Sequence, residues 1–189
     1  ANPTKPIGPF YTQEEAQKYE AENGWVLKED AGRGWRRVVA SPQPIRIVEE
    51  ETIRLLLEQN VIVIAVGGGG IPVIENEKGE LEGRAAVIDK DLASCLLAKN
   101  LKADVFIVST GVDKVAIDYK KPTQRELDQL TVAEAKKYMA EGQFPAGSMG
   151  PKIAAAIDFL EHGGQRVIIT QPPLFPEALA GKNRNHLIP

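Results

Sequence analysis

Val61-Ile-Val-Ile-Ala-Val66 runs straight into Gly67-Gly-Gly-Gly70-Ile-Pro72. Six apolar, mostly β-branched residues without polar alternation predict a strand buried on both faces, the texture of a parallel sheet in an α/β protein. The four glycines let the chain turn sharply and bring bare N–H groups near a ligand. In open α/β sheets ligands lie at the carboxyl ends of strands, where this turn falls. The plainer alternative is a tight strand–loop turn that binds nothing.

The flanking sequence repeats the same grammar. Upstream, Glu49 to Asn60 predicts an amphipathic helix with Ile53, Leu56 and Leu57 on one face and acidic residues in its first turn. Downstream, 71–74 and 84–88 predict strands around the charged tip Glu77-Lys-Gly-Glu80. Asp89 or Asp91 can cap a helix to about Leu101, and Val105-Phe-Ile-Val108 predicts a second buried strand. Thr131-Val-Ala-Glu134 is a capping box opening a helix to Glu141. Gly147-Ser-Met-Gly150-Pro-Lys152 breaks into a helix with Pro151 at its start and Ile153, Ala156, Ile157 and Leu160 on its buried face. Gly163-Gly164 ends that helix before the strand Arg166-Val-Ile-Ile-Thr170. Strand alternating with helix predicts a three-layer α/β sandwich with a mainly parallel sheet.

Residues 1–44 read differently. Asn2 to Phe10 holds three prolines and a glycine and predicts an irregular lead-in. Thr12-Gln-Glu-Glu15 is a capping box for a helix closed by Gly24, and segments 25–28 and 34–39 flank a hairpin turn. Ser41-Pro-Gln-Pro44 then stops the chain. The expectation is a small projecting lid at 1–44 on a body at 45–189.

The 189 residues suffice for one well-buried domain with an appendage, and 43% apolar with 26% charged residues is ordinary for a globular protein. A net charge of −3 argues against nucleic acid or an anionic membrane as partner. The single Cys95 excludes an intrachain disulfide and suits a reducing cytoplasm. One thiol, with His162 and His186 far apart, leaves too little for a structural zinc site. No apolar run approaches a membrane span. The chain opens on Ala1 without Met and is expected to be a portion of a longer protein.

The phosphate loop Gly-x-x-x-x-Gly-Lys-Ser/Thr, the dinucleotide fingerprint Gly-x-Gly-x-x-Gly and the Gly-x-Ser-x-Gly elbow are all absent. What remains is a set of glycine-rich loops beside lysines and aspartates. Lys90-Asp91 sits at one predicted helix N-terminus and Lys152 at another, where free N–H groups already favour anions. Each has a plain alternative. Lys90 and Lys152 as solvated lysines, Asp91 as a cap, Thr110-Gly111 as an ordinary turn and Lys5 as an exposed charge all fit. Arg33, Arg36 and Arg37 fit as decoration of the hairpin, Cys95 as a core residue, and His162 as a partner of a helix dipole. From the residues alone, the reading reaches an α/β protein with an anion-lined cleft for nucleotide or phosphate.

Read as strings, six segments resemble carbamate kinase of the amino-acid kinase family. They are Asn2-Pro-Thr-Lys-Pro-Ile-Gly-Pro-Phe10, Lys28-Glu-Asp-Ala-Gly-Arg-Gly-Trp-Arg-Arg37, Gly67-Gly-Gly-Gly-Ile-Pro72, Val87-Ile-Asp-Lys-Asp-Leu-Ala93, Thr110-Gly-Val-Asp113 and Gly147-Ser-Met-Gly-Pro-Lys152. The first two mark the projecting subdomain that sets carbamate kinase apart from its relatives. The resemblance implies reversible phosphoryl transfer between ATP and carbamate, giving ADP and carbamoyl phosphate, with Mg²⁺, in an enzyme that is a homodimer when complete. It implies that Lys90 and Lys152 hold phosphates, that Asp91 holds the lysines, and that Lys5 reaches from the lid to the substrate end. Gly67, Gly68, Gly69 and Gly70 would admit the phosphoryl or carbamate group. Thr110, Gly111, Val112, Asp113 and Val115, with Tyr119 and Met149, would line the adenine pocket.

The resemblance stops short at both ends. The family's N-terminal portion, with its Gly-Gly-Asn and Gly-Asn-Gly loops, has no counterpart here. Gln171-Pro-Pro-Leu-Phe-Pro176 replaces a more helical stretch, and Asn183-Arg-Asn-His186 replaces a Thr-Gly-Thr-type turn. The alternatives are a sibling kinase for acetylglutamate or a nucleoside monophosphate, against which the lid motifs argue, and a non-catalytic nucleotide-binding fragment.

Overall fold

The computed structural model describes residues 3–182 and 186–189. Asn2 of the lead-in motif and Asn183-Arg184-Asn185 of the divergent C-terminal segment lie outside the described residues. Contacts divide the chain into two compact units, residues 1–44 with 66–90 and residues 45–65 with 91–189.

The first unit is built on a three-stranded antiparallel sheet, β1 (Lys5–Tyr11), β2 (Val26–Glu29) and β3 (Trp35–Val39), in the order β1-β3-β2. The lead-in is thus a strand where an irregular segment is expected. Pro6 and Pro9 are tolerated because β1 is an edge, and the register shifts between Ile7 and Tyr11. Helix α1 (Gln13–Asn23) opens on the predicted capping box: Glu15 N–H donates to Thr12 Oγ1 at 3.2 Å and Thr12 N–H to Glu15 Oε2 at 2.8 Å. Gly24 closes it at φ +63. Arg33 and Arg36 stack over Phe10, and Arg37 lies 4.3 Å from the Trp25 ring centroid, so these arginines tie the hairpin together. A second hairpin, β4 (Val73–Glu75) and β5 (Leu81–Gly83), carries the predicted charged tip. The expected strand at 84–88 is reduced to one parallel bridge, Ala40 with Ala86, plus Val87 N–H on the Ala40 carbonyl.

The second unit corrects the reading of 61–66. Helix α2 (Glu50–Glu58) precedes this segment, but no strand forms there. Ile62 is 93% exposed and Ile64 96%. A strand buried on both faces requires a hydrogen-bonded neighbour and a covering layer, and among the described residues no strand pairs with it. On α2, Ile53 is buried as expected, whereas Leu56 and Leu57 face solvent.

The rest of this unit holds the core. Helix α3 (Lys90–Asn100) leads to β6 (Val105–Ser109), the hairpin β7 (Val115–Ile117) and β8 (Arg125–Leu127), then β9 (Gln129–Thr131). Next come α4 (Val132–Ala140), α5 (Met149–Glu161), β10 (Arg166–Thr170), a 3₁₀ turn at Pro172–Leu174, α6 (Phe175–Leu179) and β11 (His186–Ile188). The sheet order is β6-β10-β11-β9, with β10 parallel to β6, β11 antiparallel to β10, and β9 parallel to β11. Helix α5 buries Ile153, Ala156, Phe159 and Leu160, in one apolar cluster with Val167 and Ile169 of β10. Gly164 is required where it stands, since a Cβ there would lie 2.2 Å from the Phe159 ring. The capping box Thr131/Glu134 starts α4 as predicted. The architecture is mixed α/β.

Candidate functional site

Two helix starts meet in the second unit. Asp91 is the second residue of α3, and Lys152 is the fourth of α5. Lys152 Nζ donates to both carboxylate oxygens of Asp91, at 3.2 and 3.0 Å, across 61 positions of sequence. The side chains retain only 11% and 8% exposure. Two charges taken out of water at such cost persist because each compensates the other, and removing one leaves the other stranded. Pro151 stands third in α5 rather than first, which shortens the loop before it by two residues.

Lys152 also lines a cavity of about 200 Å³. Thr110, Val112 and Lys114, from the loop after β6, form one wall, with Ala116 and Tyr119 beyond them. Met149 and Ser148 at the start of α5, and Gln143-Phe144-Pro145 before it, close the other side. Of the expected nucleotide residues, Thr110, Val112, Tyr119, Met149 and Lys152 line this cavity. Gly111 and Asp113 lie beside it in the loop, and Val115 is buried in the core. Sequence reading missed Gln143-Phe144-Pro145. Their signal was an apolar aromatic and a proline between two helices, where Phe144 is buried at 7% exposure. Gln143 accepts the Asp118 N–H at 2.8 Å, bracing the turn that carries Tyr119. Lys114 meets Asp128 at 2.5 Å, which raises its pKa.

The remaining candidates belong to the first unit. Lys5 Nζ pairs with Asp89 Oδ2 at 3.0 Å. Lys90, the residue before Asp91, is exposed. The glycine run has a structural requirement of its own. Gly69 has φ +98, and a Cβ there would lie 2.0 Å from the Ile88 carbonyl oxygen, so any side chain is excluded whatever binds nearby. Gly67, Gly68 and Gly70 have open space around them.

Cys95 is a core residue. Its thiol donates to the Ala155 carbonyl at 3.2 Å, and burial, with the neighbouring Asp158 charge, pushes its pKa up to about 12. Burial would also raise Asp158, but Lys99 at 2.6 Å and the Cys95 thiol hold it below the usual carboxylate range. His162 Nδ1–H donates to the Asp158 carbonyl at 2.7 Å, at the end of α5. Among the described residues no group of three His, Cys, Asp or Glu side chains could hold a metal ion. No described helix is long and apolar enough to cross a membrane.

Two helix starts, a lysine–aspartate pair and a cavity after β6 stand together in one α/β unit, and the chain belongs to the amino acid kinase family, whose model matches residues 12–171. Within that family it is similar to carbamate kinases. It is 53% identical over 188 residues to the carbamate kinase of Pyrococcus furiosus and 50% identical over 189 residues to the carbamate kinase-like protein YahI of Escherichia coli. Each alignment covers 100% of this chain and 60% of the relative. The structure of Giardia lamblia carbamate kinase bound to AMP-PNP superposes with a TM-score of 0.92 at 47% identity, over 99% of this chain and 59% of that one. The chain thus spans about 60% of the length of the relatives it matches.

Proposed function

We propose that this chain is the nucleotide-binding portion of a carbamate kinase, which moves a phosphoryl group reversibly between ATP and carbamate, giving ADP and carbamoyl phosphate. The carrying observation is the buried Asp91–Lys152 pair on the wall of the cavity. That the Giardia relative is bound to AMP-PNP supports a nucleotide as ligand.

Phosphoryl transfer asks little covalent chemistry of a protein and much positioned positive charge. Lys152, held by Asp91 and presented to the cavity, meets nucleotide phosphates. Lys90 serves the transferring phosphoryl group, and Asp91 keeps the lysine array in place. Thr110, Val112, Tyr119 and Met149 take the nucleoside, with Gly111, Asp113 and Val115 shaping the same loop. Lys5, on a lid formed by residues 1–44, and the loop Gly67–Gly70 serve the carbamate end. Mg²⁺ bound with the nucleotide supplies charge neutralisation to the phosphates. The complete enzyme is read as a cytoplasmic homodimer, in keeping with a single buried cysteine.

A second reading, nucleotide binding without turnover by this chain alone, is favoured by its span of about 60% of its relatives and by the uncovered apolar residues Ile62 and Ile64. Coupled measurement of ATP formed from carbamoyl phosphate and ADP separates the two. Turnover of about 1–10³ per second establishes a working enzyme. ADP binding without ATP synthesis establishes the nucleotide portion only, and neither would overturn both readings.

A further inference from the structure

We infer that Thr170 and Gln171, neither of which touches the cavity, are positioning residues for its loop wall; this rests on the nucleotide reading of that cavity. Strands β6 and β10 are parallel neighbours with Ser109 opposite Thr170. After Ser109 the chain leaves the sheet, and residues 110–114 run without secondary structure to the start of β7.

Within that loop Thr110, Val112 and Lys114 line the cavity, while Gly111 and Asp113 do not. The loop bends through 111–114 and in doing so turns alternate residues toward the cavity. Gripping Asp113 from behind therefore sets Val112 and Lys114 on the cavity side.

The end of β10 supplies that grip. The Thr110 N–H donates to the Thr170 carbonyl at 3.0 Å. The Thr170 hydroxyl donates to the Asp113 carbonyl at 2.9 Å, and Gln171 Nε2 donates to Asp113 Oδ1. Thr170 is fully buried, at 0% exposure, on a strand whose other inward positions are Val167, Ile168 and Ile169. A valine would fill that place without a hydroxyl to satisfy. The hydroxyl contributes a bond to the loop.

The test compares ADP and adenosine binding by calorimetry in the full chain, its Thr170→Val and Thr170→Ser variants, and Gln171→Ala, well below their unfolding midpoints. Losing one such bond should weaken both ligands about five- to tenfold in Thr170→Val. The factor should be the same for both, because the loop serves the nucleoside end, and Thr170→Ser should restore affinity. Gln171→Ala should follow in the same direction. Amide exchange at residues 110–114 should quicken in Thr170→Val without any ligand present. Equal affinities in wild type and Thr170→Val, or a loss confined to ADP, would overturn the inference. Should Thr170→Val fail to fold, Gln171→Ala decides by the same two measurements. A wild-type chain that binds neither ligand would bring down the nucleotide reading, and unchanged loop exchange would bring down the grip itself.

Discussion

Val61–Val66 and Arg166–Thr170 have nearly the same texture and opposite fates. Both are runs of β-branched residues between a helix and a loop. In β10, Val167, Ile168 and Ile169 are fully buried, with β6 on one side, β11 on the other and α5 in the same apolar cluster. In 61–66, Ile62 and Ile64 are almost wholly exposed and no described strand pairs with the backbone. A hydrophobic run states what environment a segment is suited to. Neighbours with free edges and covering helices decide whether it obtains one.

The largest effect expected from this contrast is on stability. Ile169→Ala should cost about 2–5 kcal/mol in urea unfolding, the range for emptying a well-packed core site. Ile62→Ala, the same chemical change, should stay within about 0.5 kcal/mol, as exposed substitutions do. Similar losses at the two positions would break the comparison and show that 61–66 is buried in solution.

A smaller effect sharpens the same contrast through pH. Cys95 is buried against α5, and its thiol pKa rises from 9.0 to about 12. The folded state therefore keeps this proton where the unfolded chain has lost it. Its contribution is fully present below about pH 9 and drains away as pH rises toward 12. Wild-type stability should fall more steeply over that window than that of Cys95→Ala. Parallel profiles would mean that the thiol is in water.

The local features were the most legible. Both capping boxes, at Thr12/Glu15 and Thr131/Glu134, form as read, because a cap is settled by residues three apart. The buried face of α5 and the strands β6 and β10 were also legible, from period and length. Partnerships distant in sequence were not legible from composition or spacing, and only the resemblance set Asp91 against the lysines. The pairing of Lys152 with Asp91 spans 61 positions, and Lys5 with Asp89 spans 84. Composition around either lysine fits a solvated charge equally well. Strand β1 was hidden by its prolines, which an edge position accommodates, and β11 by following a proline-rich stretch. The strand expected at 61–66 was misread for the reason the comparison gives: pairing depends on a neighbour that the run itself does not encode.

The proposed function requires the cavity beside Lys152 to be a nucleotide phosphate site. Its most direct test is calorimetric titration of ADP and of adenosine into the wild-type chain and Lys152→Ala, with both proteins kept below their unfolding midpoints. ADP binding should weaken by about 1.5–3 kcal/mol in the variant, the usual loss for a charge-assisted hydrogen bond, while adenosine binding stays as it was. ADP affinity unchanged by the loss of Lys152 would contradict the account and return the lysine to a purely structural pairing with Asp91.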